Sequence, residues 1–262
     1  MQFGLDGKIA LVAAASRGLG RAIAEELARE GASLIICARG ADALAETRDS
    51  LVAAGAAVES VVADLSTPEG VDRVIHAAVS RFGRVDVLVT NGGGPPPGKF
   101  ESHDWAAWQR AVDLLLRSAV ELARGVLPGM RERKWGRIIN VTSIAVKQPV
   151  DDLMLSNSIR AAVTGWARTL ANEVAGDRVT VNNILPGYTR TERVEQLAAN
   201  VAKTKGISER DATAVWESQI PMRRLGEPRE FAALAAFLAS ERASYITGQS
   251  IAVDGGWIKS LV

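Results

Sequence analysis

The sequence predicts an α/β protein built on one doubly wound parallel sheet of about seven strands, with helices on both faces and a small helical lid. Three observations lead there. Short β-rich runs alternate with longer segments of helical period from one end of the chain to the other, the pattern that right-handed βαβ crossovers produce. The β-rich runs are almost continuously apolar, as strands buried on both faces must be. A glycine-rich turn, AAASRGLG, joins the first strand to the first helix.

The elements follow in order. KIALVAA (8–14) reads as the first buried strand. In the helix predicted over 18–31, Leu19, Ile23 and Leu27 form one apolar stripe and Gly31 is a C-terminal stop. Residues 33–39 form a second strand, 42–54 a helix and 58–64 a third strand. A helix over 68–82 carries Pro68 in its first turn, where its missing N–H costs nothing. A fourth strand occupies 85–90. NGGGPPPG (91–98) can continue neither strand nor helix and is a loop. A long helix over 104–131, a strand over 136–143, a helix over 153–175 and a strand over 179–185 come next. The polar helical stretch 191–220 is the lid, 227–239 a last core helix, and 249–256 a closing strand and turn. No repeat or linker interrupts the series, so residues 1–262 are expected to form one domain.

Composition narrows the function. The net charge is +1 with no basic run, so nucleic acid is not an expected partner, since phosphate recognition needs concentrated positive charge. With Cys37 the only cysteine and His76 and His103 in unrelated segments, a disulfide within the chain is impossible and no metal site is expected. No apolar run approaches the ~18 residues of a membrane span, and the N-terminus does not read as a signal peptide. A cytoplasmic location is expected.

Doubly wound sheets bind ligands beyond the carboxyl ends of their strands. In the turn from Ala13 to Gly20, Gly18 and Gly20 let backbone approach a phosphate, and the following helix offers free N–H groups and positive dipole. Ala14, Ser16, Arg17, Leu19 and these glycines are therefore candidate binding residues.

Five segments in order and spacing, ALVAAASRGLG, LVTNGGG, GRIINVTS, NILPGYTRT and SYITGQSIAVDGG, resemble the short-chain dehydrogenase/reductase family, and within it the bacterial-type 3-oxoacyl-(acyl-carrier-protein) reductases. The resemblance spans Lys8 to Trp257. It implies a Rossmann-type domain that binds NAD(H) or NADP(H), a small carbonyl or acyl-thioester substrate, and a homotetramer (or homodimer). Ala13 and Ala14 replace the Thr-Gly pair that opens the family's glycine motif. Arg17, inside the turn, and Arg39, ending the second strand, suit a 2′-phosphate where an acid would suit a ribose hydroxyl; NADP(H) is expected over NAD(H). Two solvated surface arginines are the competing reading. Asp64 and Leu65 match the family's adenine-contacting pair, Asn91 and Gly92 part of its Asn-Asn-Ala-Gly loop, and Pro186, Gly187, Thr189 and Thr191 its nicotinamide and diphosphate segment.

The family's chemistry uses a serine, a tyrosine, a lysine one helical turn further on, and an asparagine in the preceding long helix. Only the serine, Ser143, is present. Ser156 stands at the tyrosine position, Arg160 at the lysine position and Leu115 at the asparagine position. An aliphatic hydroxyl is a far weaker acid than a phenol, whose pKa is about 10, and a guanidinium does not shuttle protons. Arg160 can still hold a ribose or an anion. Tyr188 is the candidate replacement acid and Lys147 another; Asp151 and Asp152 read as solvated residues against the alternative of a carboxylate pair, and His103 reads as a surface or capping residue. Tyr245 reads as structural. Halide-expelling relatives of this fold match Arg160 but not Ser156, and enoyl reductases of the family need a tyrosine that is absent. Two readings stay open: an atypical NADP(H)-dependent oxidoreductase using Ser143, Arg160 and water or Tyr188, and a nucleotide-binding protein without redox turnover, such as a regulatory or partner subunit of a related reductase.

Overall fold

A computed structural model describes residues 3–261. Its single sheet has seven parallel strands in the order β3-β2-β1-β4-β5-β6-β7. They are β1 (Ile9–Ala13), β2 (Ser33–Ala38), β3 (Val58–Val62), β4 (Val87–Thr90), β5 (Gly136–Val141), β6 (Val179–Pro186) and β7 (Ser250–Val253). The order reverses between β1 and β4, which makes their carboxyl ends the switch point.

Nine α-helices accompany the strands among the described residues: α1 (Gly18–Arg29), α2 (Ala41–Ala53), α3 (Pro68–Phe82), α4 (Trp105–Ala111), α5 (Ser118–Glu132), α6 (Met154–Val174), α7 (Glu192–Lys205), α8 (Glu209–Gln219) and α9 (Pro228–Ala239). The two faces of the sheet carry separate cores. Ile23 and Leu27 of α1 pack with Phe231 and Leu238 of α9 on one side; Val71 and Val74 of α3 pack with Leu122 and Val126 of α5 on the other.

Two features depart from the expected elements. The helix predicted as one piece over 104–131 is α4 and α5 joined by a π-helical segment, Val112–Arg117. Such insertions re-aim side chains and occur frequently at functional sites. The central strands are also less purely apolar than their sequence pattern suggests. Thr90 Oγ1 donates to Asn140 Oδ1 (2.7 Å), Asn140 Nδ2 to Asn183 Oδ1 (3.0 Å), and Asn183 Nδ2 to Ser250 Oγ (3.0 Å). These residues are register partners across β4, β5, β6 and β7. A one-residue slip would strand several of these buried polar groups, so the ladder fixes strand register near the cleft.

Candidate functional site

The carboxyl ends of β1, β4, β5 and β6, with α7 above them, enclose a cleft of about 650 Å3. Ala14, Ser16, Arg17, Gly18, Leu19, Arg39, Asp64, Leu65, Asn91, Gly92, Ser143, Ser156, Arg160, Pro186, Gly187, Tyr188, Thr189 and Thr191 all line it.

Gly20, proposed from sequence to admit a phosphate, does not line the cleft and takes a different part. A Cβ there would lie 2.3 Å from the Ala14 carbonyl oxygen and 2.9 Å from Asn91 Nδ2. Its missing side chain lets α1 close on β1. Gly18 adopts φ +57° and Ala14 φ +50°, so alanine stands in a left-handed conformation that glycine would take freely. The first turn of α1 has no side-chain cap, and its N-cap Arg17 is extended. Its open N–H groups and dipole suit a diphosphate. Across the switch point Asn91 Nδ2 donates to the Ala14 carbonyl at 3.5 Å.

At the β2–β3 side, Arg39 is exposed. Partial burial of Asp64, which favours the neutral acid, is outweighed by Ser66 hydrogen bonds and the Arg39 charge, and its carboxyl stays below the usual range. Arg17 is turned toward α7, where its Nη1 donates to Glu192 Oε2 at 2.6 Å.

At the β5–α6 side, Ser143 follows β5 and its Oγ accepts the Ala145 N–H at 3.1 Å, leaving the hydroxyl proton free to donate. Arg160, on α6 one turn after Ser156, is only 9 % exposed. Its Nη1 donates to the Val141 carbonyl at 2.9 Å and its Nη2 reaches the Gly92 carbonyl at 3.5 Å. Burial first, and the nearby Arg193 charge second, bring its pKa down to about 10. Leu115 lies in the π-helical segment, packed with Ala111, Leu155 and Ile159 in an apolar cluster; no polar relay group stands there.

The candidate replacement acids fare unequally. Tyr188 stacks on Trp216 of α8 with ring centroids 4.9 Å apart and meets Trp257 edge-on at 6.0 Å. Burial, then Asp151, push its phenol up. Lys147, Asp151, Asp152 and Tyr245 are exposed. His103, read from sequence as a surface or capping residue, is half-buried and caps the short 3-10 turn Phe100–Ser102, its backbone N–H donating to the Phe100 carbonyl at 3.3 Å. Asp104 caps α4 by accepting the Ala107 N–H at 2.7 Å, while His103 Nε2 is buried, unpartnered, against the open α-carbon face of Gly98.

The proline-rich loop is fastened. Gly98 pairs with Leu153 in an isolated parallel bridge, its N–H donating to the Asp152 carbonyl at 2.6 Å. Two α7 residues, Glu192 and Arg193, entered no sequence argument. They occupy a polar helical stretch where neither spacing nor composition separates cleft residues from solvated ones.

A doubly wound sheet with a glycine turn and an uncapped helix end at its switch point defines a dinucleotide-binding protein. The chain belongs to the short-chain dehydrogenase/reductase family of NAD(P)-dependent oxidoreductases, and the family model described as Enoyl-(Acyl carrier protein) reductase matches residues 13–258. It is 36 % identical to 3-oxoacyl-(acyl-carrier-protein) reductase FabG of Vibrio cholerae serotype O1 over 252 residues, covering 96 % of this chain and 98 % of that one. It is 35 % identical to NADPH-dependent reductase BacG of Bacillus subtilis (strain 168) over 259 residues, covering 97 % and 99 %. In structure it superposes on L-sorbose reductase from Gluconobacter frateurii, complexed with NADPH and L-sorbose, with a TM-score of 0.95, 39 % identity and full coverage of both chains.

Proposed function

We propose that this protein is an NADP(H)-dependent oxidoreductase that reduces a carbonyl compound, 3-oxoacyl reductase-like in sequence and atypical in its proton supply. The observation that carries the reading is that the uncapped α1 end and Ser143 open onto one cleft. The α1 turn would hold the diphosphate, Asp64 and Leu65 the adenine, and Pro186, Gly187, Thr189 and Thr191 the nicotinamide half. Support for the 2′-phosphate form comes from Arg39 and Arg17, and from the NADPH named for BacG and for the L-sorbose reductase complex.

Bound coenzyme supplies hydride. The protein's own groups do the rest. The Ser143 hydroxyl, held by the Ala145 N–H, donates to the substrate oxygen. Arg160 supplies fixed positive charge beside it. A positioned general acid is worth about 100- to 10,000-fold, and neither Ser156 nor the raised phenol of Tyr188 is well suited to the task. Water in the cleft therefore delivers the proton, and turnover is slow for a family member. Residues 1–262 act as one domain with 191–220 as its lid. A cytoplasmic homotetramer or homodimer is the expected form; β7, a half-buried edge strand, leaves one sheet edge open.

The apolar packing of Leu115 and the serine at position 156 favour a second reading, a nucleotide-binding partner or regulatory subunit without turnover. One experiment separates them. Nicotinamide fluorescence is followed on titration with NADPH and NADH, and 3-oxoacyl thioesters, ketones and quinones are then added. NADPH binding with oxidation supports the first reading; binding without oxidation across the set supports the second; binding of neither coenzyme overturns both.

A further inference from the structure

Arg160 and Arg193 both line the cleft, and no acid answers either. Arg160 is nine-tenths buried. Arg193, in the first turn of α7, is half-buried and lies flat on Gly94, where a Cβ would come within 2.8 Å of its guanidinium. Its Nη2 donates to the Pro95 carbonyl at 3.0 Å. Arg160 is held by the Val141 and Gly92 carbonyls. The partners of both arginines are thus neutral backbone oxygens, and neither arginine takes part in the ion pairs found among the described residues. Nearby acids are otherwise placed: Glu192 is bound to Arg17, and Asp151 and Asp152 are exposed.

Two like charges near each other in a partly dry cleft are costly unless an anion joins them. Burial lowers the affinity of both guanidiniums for their protons, and the charge of Arg193 lowers that of Arg160 further. Both remain cations at neutral pH. The missing charge can come from the coenzyme or from the substrate. The diphosphate has its own cradle at the α1 end. The arginines are anchored instead on Val141, two residues before Ser143, and on the 91–98 loop, in the same cleft that Ser143 lines.

We infer that Arg160 and Arg193 form a two-pronged seat for a carboxylate, so that the substrate is a small oxo acid with its carbonyl presented to Ser143. This rests on reading the cleft as an oxidoreductase site. A carboxylate between two guanidiniums is recognised by charge-assisted, directional hydrogen bonds, and a neutral ester of the same shape leaves both cations unanswered.

The test is calorimetric titration of the ligand-free protein and of its NADPH complex with acetoacetate, pyruvate and 2-oxoglutarate, and with the methyl ester of each. At least one acid should bind, and its ester should bind about tenfold or more weakly. Arg193→Gln, at a half-buried position of α7 and checked for folding by its melting curve, should weaken that acid about tenfold while leaving NADPH affinity within about twofold. Arg160→Lys, which keeps a charge but loses the fork, should weaken the acid as well. The inference is overturned if no acid binds better than its ester, or if Arg193→Gln leaves acid affinity unchanged. It is equally overturned if the variant loses NADPH affinity instead, which would assign the arginines to coenzyme phosphate. Failure of NADPH to bind the unmodified protein, with acid binding intact, would overturn the oxidoreductase reading and leave the carboxylate seat standing.

Discussion

Arg17, the last residue before α1, and Glu192, the first residue of α7, face each other across the cleft mouth at 2.6 Å. The pair ties the glycine turn to α7. Both side chains are more than half exposed, at 60 % and 53 %, so their contribution to folding is small. Their importance lies in competition: the Nη1 donor and the charge that Glu192 engages are drawn away from any 2′-phosphate.

Glu192→Gln is therefore expected to change coenzyme choice more than stability. Its melting temperature should stay near that of the unmodified protein. NADPH should bind several-fold more tightly, and NADH should change little, because only the former carries the phosphate that Arg17 is freed to meet. Fluorescence titration of both coenzymes at two salt concentrations reads this directly, and equal gains for the two would contradict it.

Ala14 is the second site. Its φ of +50° is a conformation in which alanine is strained and glycine is not. Ala14→Gly should raise stability by about 1 kcal/mol despite the extra freedom of the unfolded chain, a rise of about 2–4 °C in melting temperature for a protein of this size. A fall on thermal denaturation would show that the strain is absent.

Arg160 sets function against stability. As a buried cation with only carbonyl partners, it should be replaceable by methionine with a gain on the order of 1 kcal/mol in the ligand-free protein. The gain should depend on pH with a definite sign. Because the folded form holds this proton less tightly than the unfolded chain does, the penalty is fully present below its pKa of about 10 and fades as pH rises past it. Melting curves of Arg160→Met and the unmodified protein should thus differ at pH 8 and converge in strong alkali.

Restoring the family's proton donor is the most direct test of the site. Ser156→Tyr with Arg160→Lys places a phenol and an amine one helical turn apart beside Ser143. If proton supply limits turnover, ketone reduction should rise by about 100-fold or more. Adding Leu115→Asn supplies the relay group and should increase it further. No gain in either variant, with coenzyme still bound, would show that hydride delivery or substrate fit is limiting.

The fold was legible because its signals are local. Continuous apolar runs such as Leu34 to Cys37, and the 19-23-27 stripe of α1, express burial and period directly in the order of residues. The cleft was legible where backbone demands special residues, as at Gly18, or where a family motif fixes register, as from Ser143 to Arg160. The rest depends on contacts distant in sequence. Gly20 looks like a phosphate glycine until the Ala14 carbonyl is seen against it. Asn140 and Asn183 look like blemishes in apolar strands until register pairs them. Arg193 becomes a cleft residue only when α7 folds over Gly94 and Pro95.

The joint between Gly98 and Leu153 has a bearing on traffic. It clamps the proline-rich rim to the root of α6, so that rim and the Ser156 helix shift together or not at all. Substrates are then expected to come and go on the opposite bank, beneath α7 and α8, once the Arg193–Pro95 and Arg17–Glu192 contacts release. A chemical tether laid across that flap would halt exchange, whereas one across the stiff rim would pass unnoticed.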